Sequence, residues 1–310
     1  MPRFSIIITC YNQGDFIKEA VESALTQTCR DREIIVVDDG SSDGSRRVLE
    51  RYAETITLEL NATNGGAVAA RNRGAAIARG DYLVFLDGDD RLLPWALDVY
   101  CRVVERKKTK LILAGMIYFS GYPPAEALSK RPEEIKLVEY ADYFKKDRAY
   151  RASASAMVID RETFNLVEGW TAGTFPADDQ DLLFKLGCSG PAVQVLTPET
   201  SAYRLHANNT TRSILSLVEA SHCLLKREKN GQYPGGRCRR FDRRAAMGGF
   251  LFFMATQTWR NQLRRDSRKL LAAGWRMIFA AILRRITVRL LGRNRRTEVL
   301  RFDSGSGAHE

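Results

Sequence analysis

Val84-Phe85-Leu86-Asp87-Gly88-Asp89-Asp90 decides how this chain is read. An apolar run stops at Asp87, Asp89 and Asp90, three carboxylates within four positions. A strand that ends this way delivers several negative charges to one edge of a sheet. Carboxylates so close repel, and a divalent cation is the usual remedy. A hard cation held by one or two carboxylates completes its shell with water and substrate phosphates. The segment therefore points to a site for a metal-bound phosphorylated ligand. The plain alternative is a solvated, Asp-rich turn before Pro94.

Upstream, short apolar runs alternate with helical patterns. Phe4–Thr9, with consecutive Ile6, Ile7 and Ile8, predicts a strand buried on both faces. Asp15–Gln27 predicts a helix with Phe16, Ala20, Val21, Ala24 and Leu25 on one stripe. Glu33–Val37 predicts a second buried strand, followed by a turn-rich loop, a helix to about Tyr52 and a strand at Thr57–Leu60. Gly66–Ala78 predicts a small-residue helix and Tyr82–Leu86 the next strand. Such alternation implies right-handed crossovers and an α/β fold with a mostly parallel sheet flanked by helices. Ligands of such sheets sit beyond the carboxyl ends of the strands. Three of those ends are polar here, at Thr9-Cys10-Tyr11-Asn12, Asp38-Asp39 and Asp87-Gly88-Asp89, and should meet in one crevice.

Beyond Pro94 the pattern predicts a helix to about Lys107, a strand at Leu111–Phe119, a loop at Ser120–Pro132 and a strand at Ser153–Ile159. A helix with an acidic first turn follows at Asp178–Leu186, which suits the positive end of its dipole, then short strands at Val193–Leu196 and Ser201–His206. The composition changes near residue 213, which divides the chain into 1–212, a basic, mainly helical region 213–301 and a disordered tail 302–310.

The 310 residues suffice for one large domain with an appendage. Six scattered cysteines without a C-x-x-C pair read as reduced thiols. Phe4–Cys10 runs into Tyr11-Asn12-Gln13 rather than a small-residue cleavage pattern, so no secretory leader is expected. No stretch reaches the roughly 18 uninterrupted apolar residues that a membrane span requires. Charge is unevenly spread. Lys226–Arg301 holds 21 Lys and Arg against 4 Asp and Glu, a net +17, which leaves −6 for the remainder of a chain whose total is +11. A polyanionic partner is implied, either a membrane surface or a nucleic acid. Leu271, Trp275, Ile278, Ile282 and Ile286 recur at helical spacing with Phe279, Leu283 and Leu290 alongside; Arg276 and Arg284 fall off that stripe, and Arg285 and Arg289 border it. This pattern fits a cationic helix lying in a membrane interface, or a helical subdomain packed on the body with solvated arginines. Aromatic residues are not interleaved with the basic ones as in nucleic-acid readers, so no nucleic acid is expected.

There is no G-x-G-x-x-G after the first strand and no G-x-x-x-x-G-K-[ST], which weighs against a dinucleotide oxidoreductase and a P-loop phosphotransferase. Ser5–Asn12, Glu33–Asp43, Asn64-Gly65-Gly66 with Ala70-Arg71-Asn72, and Phe85–Asp90 occur in that order. Together they resemble the nucleotide-sugar half of a family 2 inverting glycosyltransferase of GT-A fold. Ala156–Arg161, Gly169-Trp170, Asp178-Asp179-Gln180-Asp181-Leu182 and Tyr203–Asn209 are similar to that family's acceptor-side motifs, so the resemblance covers roughly residues 1–212.

The resemblance implies metal-dependent, inverting transfer of a sugar from a nucleotide-sugar donor to an acceptor hydroxyl. Asp39 matches the carboxylate that binds the nucleobase, with Thr9 and Tyr11 lining the same pocket, and Arg71 matches a donor-binding arginine. Asp89 would bind the cation, Mn2+ or Mg2+, directly. Asp87 would contact the ribose or a metal-bound water, and His206 the metal or pyrophosphate. Asp179 matches the general base. Asp178 stands where many relatives have Glu, and Asp178 or Asp181 could instead serve the helix start. Asp38 reads as a turn cap, Asp90 as structural, and Trp170 as acceptor-side or core. A cation bridging the diphosphate would act as a Lewis acid, and the acceptor hydroxyl needs a positioned base. The processive synthases of the family carry Q-x-x-R-W and transmembrane helices; lacking both, this chain fits non-processive transfer. With the basic region on an anionic membrane, the acceptor would be a lipid-linked or cell-envelope glycan, and the protein cytoplasmic, on the inner face of the cytoplasmic membrane. The competing readings are a sugar-1-phosphate nucleotidyltransferase, which would need a Gly-rich basic loop where Thr9–Gln13 stands, and a nucleic-acid-binding protein.

Overall fold

The computed structural model describes residues 3–123, 128–129, 131–207, 209, 213–290 and 297–302. The run of isoleucines forms β1 (Phe4–Cys10), and every one of its side chains is buried. Because successive side chains alternate across a strand, β1 feeds two cores. Phe4, Ile6 and Ile8 pack on one face with α1 (Ile17–Leu25) and, later, α4 (Ala96–Arg106). Ile7 packs on the other with residues of α3 (Ala67–Ile77), Phe85 and Trp170. Parallel pairing runs outward from β1 to β2 (Arg32–Asp38) and β3 (Thr57–Leu60) on one side, and to β4 (Tyr82–Asp87) on the other. The short α2 (Ser45–Leu49) lies between β2 and β3.

The sheet continues with β5 (Arg91–Leu92), β6 (Leu111–Phe119), β7 (Glu134–Tyr140), β8 (Met157–Asp160), β9 (Ala192–Arg204) and β10 (Glu298–Arg301). Its order is β10-β7-β9-β6-β8-β4-β1-β2-β3, with β5 on β9. β6 and β9 are parallel, whereas β8 joins β4 and β6 antiparallel. The result is a mixed sheet flanked by helices, with its parallel half where the alternating motifs stand.

Several boundaries differ from expectation. The first helix starts at Ile17, two residues after Asp15, because Phe16 takes the cap position. Ser153–Ile159 is a 3-10 turn at Ala154–Ala156 followed by β8, which aims the Ser155 hydroxyl into the site. Val193–Leu196 and the Ser201–Arg204 part of Ser201–His206 belong to one strand, β9, which ends before Leu205 and His206. Register shifts against β6 and β7 let the strand run through Thr197-Pro198. β7 was not expected, although Ile135, Leu137 and Tyr140 bury and Lys136 and Glu139 do not. Residues 124–127 and 130 of the Ser120–Pro132 loop lie outside the described residues.

Two further helices precede the basic region, α5 (Arg161–Leu166) and α6 (Asp178–Lys185). The basic region forms α7 (Ile214–Lys229), α8 (Arg240–Arg260) and α9 (Arg264–Leu290). Ala220, Leu224, Tyr233 and Met247 enter the same core as Leu183 and Phe184 of α6. Asp181, fully buried, accepts from Tyr233 Oη at 2.7 Å and pairs with Arg227 at 2.7 Å. The segment read as a terminal tail begins on the body: the Phe302 amide donates to the Glu133 carbonyl at 2.9 Å and its ring lies beneath Arg102. Residues 303–310, with Arg293, Arg295 and Arg296, lie outside the described residues.

α8 and α9 cross where Gly248 meets α9. A Cβ on Gly248 would lie 1.9 Å from the Met277 carbonyl oxygen, a backbone atom that cannot swing away. On α9, Ser267, Leu270, Gly274, Ile278 and Ala281 bury, while Leu271, Trp275, Phe279, Ile282 and Ile286 stay exposed. Ile278 thus leaves the stripe expected of it. Gly248→Ala should destabilise the protein by ~1–3 kcal/mol, the usual cost of overpacking. A thermal melt that shows no loss would mean that the crossing is looser than described.

Candidate active site

The β1–β2 and β1–β4 registers place Cys10 beside Asp38 and Thr9 beside Asp87. The three polar strand ends therefore lie side by side. Gly88 makes this approach possible: its amide donates to the Thr9 carbonyl at 2.9 Å, and a Cβ there would meet that oxygen at 2.7 Å and Gln13 Oε1 at 2.3 Å. No larger residue fits between the carboxylates of Asp87 and Asp89.

At the β2 end, Asp38 accepts from Arg46 Nε at 2.7 Å and from the Ser41 amide. Asp39, 2% exposed, accepts from Asn61 Nδ2 at 2.8 Å and from the amides of Gly65 and Gly66. Its carboxylate thus fixes the Asn64-Gly65-Gly66 loop that opens α3. Thr9 is buried at the floor of the crevice, and Tyr11, 46% exposed, stands at its rim.

Arg71 links the two halves of the site. It projects from α3, is almost fully buried, and donates to Asp87 Oδ1 at 2.7 Å and Asp178 Oδ2 at 2.6 Å. Its guanidinium lies 4.8 Å from the Trp170 ring centre. Burial opposes its charge, but Asp87, Asp178 and Asp179 more than offset that, and its pKa is raised. Burial likewise raises Asp178, with Arg71 counteracting. Asp179 is held well above the usual carboxylate range by burial, then by the charge of Asp178, against Arg71. Asp179 Oδ1 has no hydrogen-bond partner among the described residues.

Asp89 and His206 come together although 117 positions apart, with Nε2 and Oδ2 at 2.8 Å. The imidazole also packs 5.0 Å from the Phe16 ring. Burial, then the neighbouring Asp87, raises the Asp89 pKa. Among the described residues, no group of three or more His, Cys, Asp or Glu side chains is placed to hold an ion by itself. One carboxylate and one imidazole nevertheless suit a cation that brings phosphate oxygens with it. Asp87 is less open to such a cation, since Arg71 occupies one of its oxygens.

Sequence reading missed two organisers. Arg204, 3% exposed, donates to Glu19 at 2.8 Å, to the Asp89 carbonyl at 2.9 Å and to the Gly121 carbonyl, between the rings of Phe16 and Phe119. Its only signal was position, two residues before His206. Ser155 accepts from the Asp87 amide and donates to Asp90 Oδ2 at 2.7 Å. Asp90 also accepts from the Arg204 amide at 3.0 Å. It braces the loop, and burial, then the charges of Asp89 and Asp87, holds its pKa well above the usual range.

Residues 5–165, half of the chain, match the model of glycosyl transferase family 2. The chain belongs to this family. Among curated proteins it is 43% identical over 94 residues to the uncharacterized glycosyltransferase YibD of Escherichia coli (strain K12), a match that covers 30% of this chain and 27% of that relative. The fold is similar to that of Staphylococcus aureus TarS 1–349 in complex with UDP-GlcNAc, with a TM-score of 0.69 at 18% identity over 90% of this chain and 81% of that one. It is also similar to the mannosyltransferase PcManGT of Pyrobaculum calidifontis in complex with GDP-Man and Mn2+, with a TM-score of 0.54 at 16% identity over 94% and 88% of the two chains.

In this family 2 member the Arg71 network joins elements inside and beyond the matched stretch, since Asp178 follows residue 165. Arg71→Met would strand two carboxylates around a buried apolar side chain. It should cost ~3–5 kcal/mol of stability, as removal of one partner from a buried pair does. Urea unfolding with a loss below ~1 kcal/mol, the value of a surface pair, would contradict this role.

Proposed function

We propose that this chain transfers a sugar from a nucleotide-sugar donor to a hydroxyl of a glycan or glycolipid acceptor, non-processively. The observation that carries this reading is the placement of Asp179, unpartnered at Oδ1, on the Arg71–Asp87–Asp178 network at the crevice that also holds Asp89 and His206. Family membership and the relatives' names as glycosyltransferases support it. The donors in the two similar structures, UDP-GlcNAc and GDP-Man, support a nucleotide sugar as its class. Inversion at the anomeric carbon is carried by the family resemblance alone.

In this reading Thr9, Tyr11 and Asp39 hold the nucleoside, and Arg71 orients Asp87 toward the ribose. Asp89 and His206 would hold a divalent cation, Mn2+ or Mg2+, whose chemistry is Lewis-acid stabilisation of the departing diphosphate. Asp179 accepts the proton of the acceptor hydroxyl as its oxygen bonds the anomeric carbon and the bond to the diphosphate breaks.

A base works only when deprotonated, and Asp179 is raised well above the usual carboxylate range by burial and then by Asp178. Activity is therefore present above that raised value and lost as pH falls through it, so the acid limb of kcat/KM should lie well above ~4. Asp179→Asn should lower kcat by at least ~10²-fold with donor affinity little changed; an active variant would sink the assignment. Asp89→Ala should abolish the Mn2+-dependent part of UDP or GDP binding in calorimetry. Binding that kept its full metal dependence would contradict Asp89 as a ligand.

We also assign the exposed stripe of α9 to an anionic membrane surface. Trp275, Phe279, Ile282 and Ile286 are each about half exposed, and Arg276, Arg285 and Arg289 flank them. No described helix is long and apolar enough to cross a membrane, so this contact would be peripheral. Basic residues near such a surface contribute ~1 kcal/mol each. Changing Arg276, Arg285 and Arg289 to Glu should abolish flotation with phosphatidylglycerol vesicles. Undiminished flotation would refute α9 as the contact.

A further inference from the structure

Folding brings together two of the thiols that the sequence scatters. The Sγ atoms of Cys29 and Cys101 lie 2.9 Å apart, although the residues are 72 positions apart. Unbonded carbon atoms settle about 3.5–4.0 Å apart. Sulfur is larger than carbon, so these two sulfurs are held closer than ordinary contact. Among the described residues, no third His, Cys, Asp or Glu joins them to make a metal site. Both side chains are partly exposed, and both pack against the core that α1 and α4 share with β1.

Neither thiol sits on a loose segment. Cys29 lies in the turn between α1 and β2, and Arg32 grips that turn by donating to the carbonyls of Ala24, Leu25 and Cys29. Gln27 fastens the same turn to the start of α4. Its Nε2 donates to the Leu93 carbonyl at 2.9 Å, and its Oε1 accepts from the Leu97 amide at 3.0 Å. Cys101 follows Leu97 by about one helical turn. A turn further on, Glu105 accepts from Arg3 Nη1 at 2.6 Å, which ties α4 to the residue before β1. The sulfurs are thus set by anchored backbones. They need close by only about 0.9 Å, from 2.9 Å to the roughly 2.05 Å of a disulfide.

We infer that Cys29 and Cys101 are a modification site, a thiol pair that forms a reversible disulfide by exchange with a small-molecule disulfide such as glutathione disulfide. Burial, then Cys29 itself, pushes the Cys101 thiol up, so Cys101 stays protonated and Cys29 attacks first. The Cys29 thiolate bonds to one sulfur of glutathione disulfide and expels one glutathione thiolate. The Cys101 sulfur then gives up its proton, bonds to the Cys29 sulfur and expels the second. Two protein thiols are oxidised and one glutathione disulfide is reduced to two glutathiones. The bond clasps the α1–β2 turn to α4 at the edge where the parallel strands begin, opposite the crevice at Asp87 and Asp89. It acts on stability, by closing a long loop in the unfolded chain, and is independent of the transfer reading.

The test uses the full chain, incubated with glutathione disulfide or with dithiothreitol, then denatured in N-ethylmaleimide and mapped by peptide mass spectrometry. With glutathione disulfide, the peptides of Cys29 and Cys101 should be joined, with two hydrogens lost and neither thiol alkylated. The exposed Cys238 should instead carry glutathione or maleimide. The joined protein should melt about 5 °C or more above the reduced one, and dithiothreitol should reverse the rise. Cys29→Ser and Cys101→Ser should each abolish both the link and the rise. The wild-type map decides the matter even if a variant folds poorly. The inference is overturned if Cys29 and Cys101 remain alkylable after glutathione disulfide, if either pairs with another cysteine instead, or if the joined protein melts no higher than the reduced one.

Discussion

The buried guanidinium of Arg71 is the constraint on which the rest of the site depends. It joins the end of β4, through Asp87, to the start of α6, through Asp178. Without it, Asp87, Asp178 and Asp179 would crowd a poorly solvated space with like charge, at a cost that such carboxylates meet by taking up protons. With it, two of them are tied down and the third is left with an oxygen free for chemistry. The stacking of Arg71 on Trp170, itself edge-on to Phe85, carries this arrangement into the core.

A second arginine performs the parallel task on the other side of the acidic loop. Arg204 gathers Glu19, the Asp89 carbonyl and the Gly121 carbonyl, while its amide holds Asp90. Of the three carboxylates at the end of β4, one is thereby engaged by Arg71, one faces His206, and one braces the loop. Similar residues, within four positions, acquire three environments because each meets a different partner from elsewhere in the chain.

The C-terminal helices extend this logic. α7 and α8 share a core with α6, and Asp181, two positions beyond Asp179, is held by Tyr233 and Arg227. The helix that presents the proposed base is thus positioned partly by the basic region. α9 buries Ser267, Leu270, Gly274, Ile278 and Ala281 and leaves Leu271, Trp275, Phe279, Ile282 and Ile286 exposed, an apolar stripe bordered by arginines.

Much of the fold was legible because its signals are local. Consecutive isoleucines, the Gly88 spacer and the alternation of strands with helices each reflect backbone or burial requirements met within a few residues. The expectation that Thr9, Asp39 and Asp87 share one crevice followed from parallel strand order. β7, β10 and the merging of two short segments into β9 were not legible, because edge pairing and register shifts are settled by neighbours distant in sequence. The same holds for the roles of Arg204 and Ser155, and for the inward turn of Ile278. The chain by itself determined which side chains carry charge and where strands end. Only the tertiary structure decided which charges meet, since burial and Coulomb attraction act through space: Arg71 with Asp178, and Asp89 with His206.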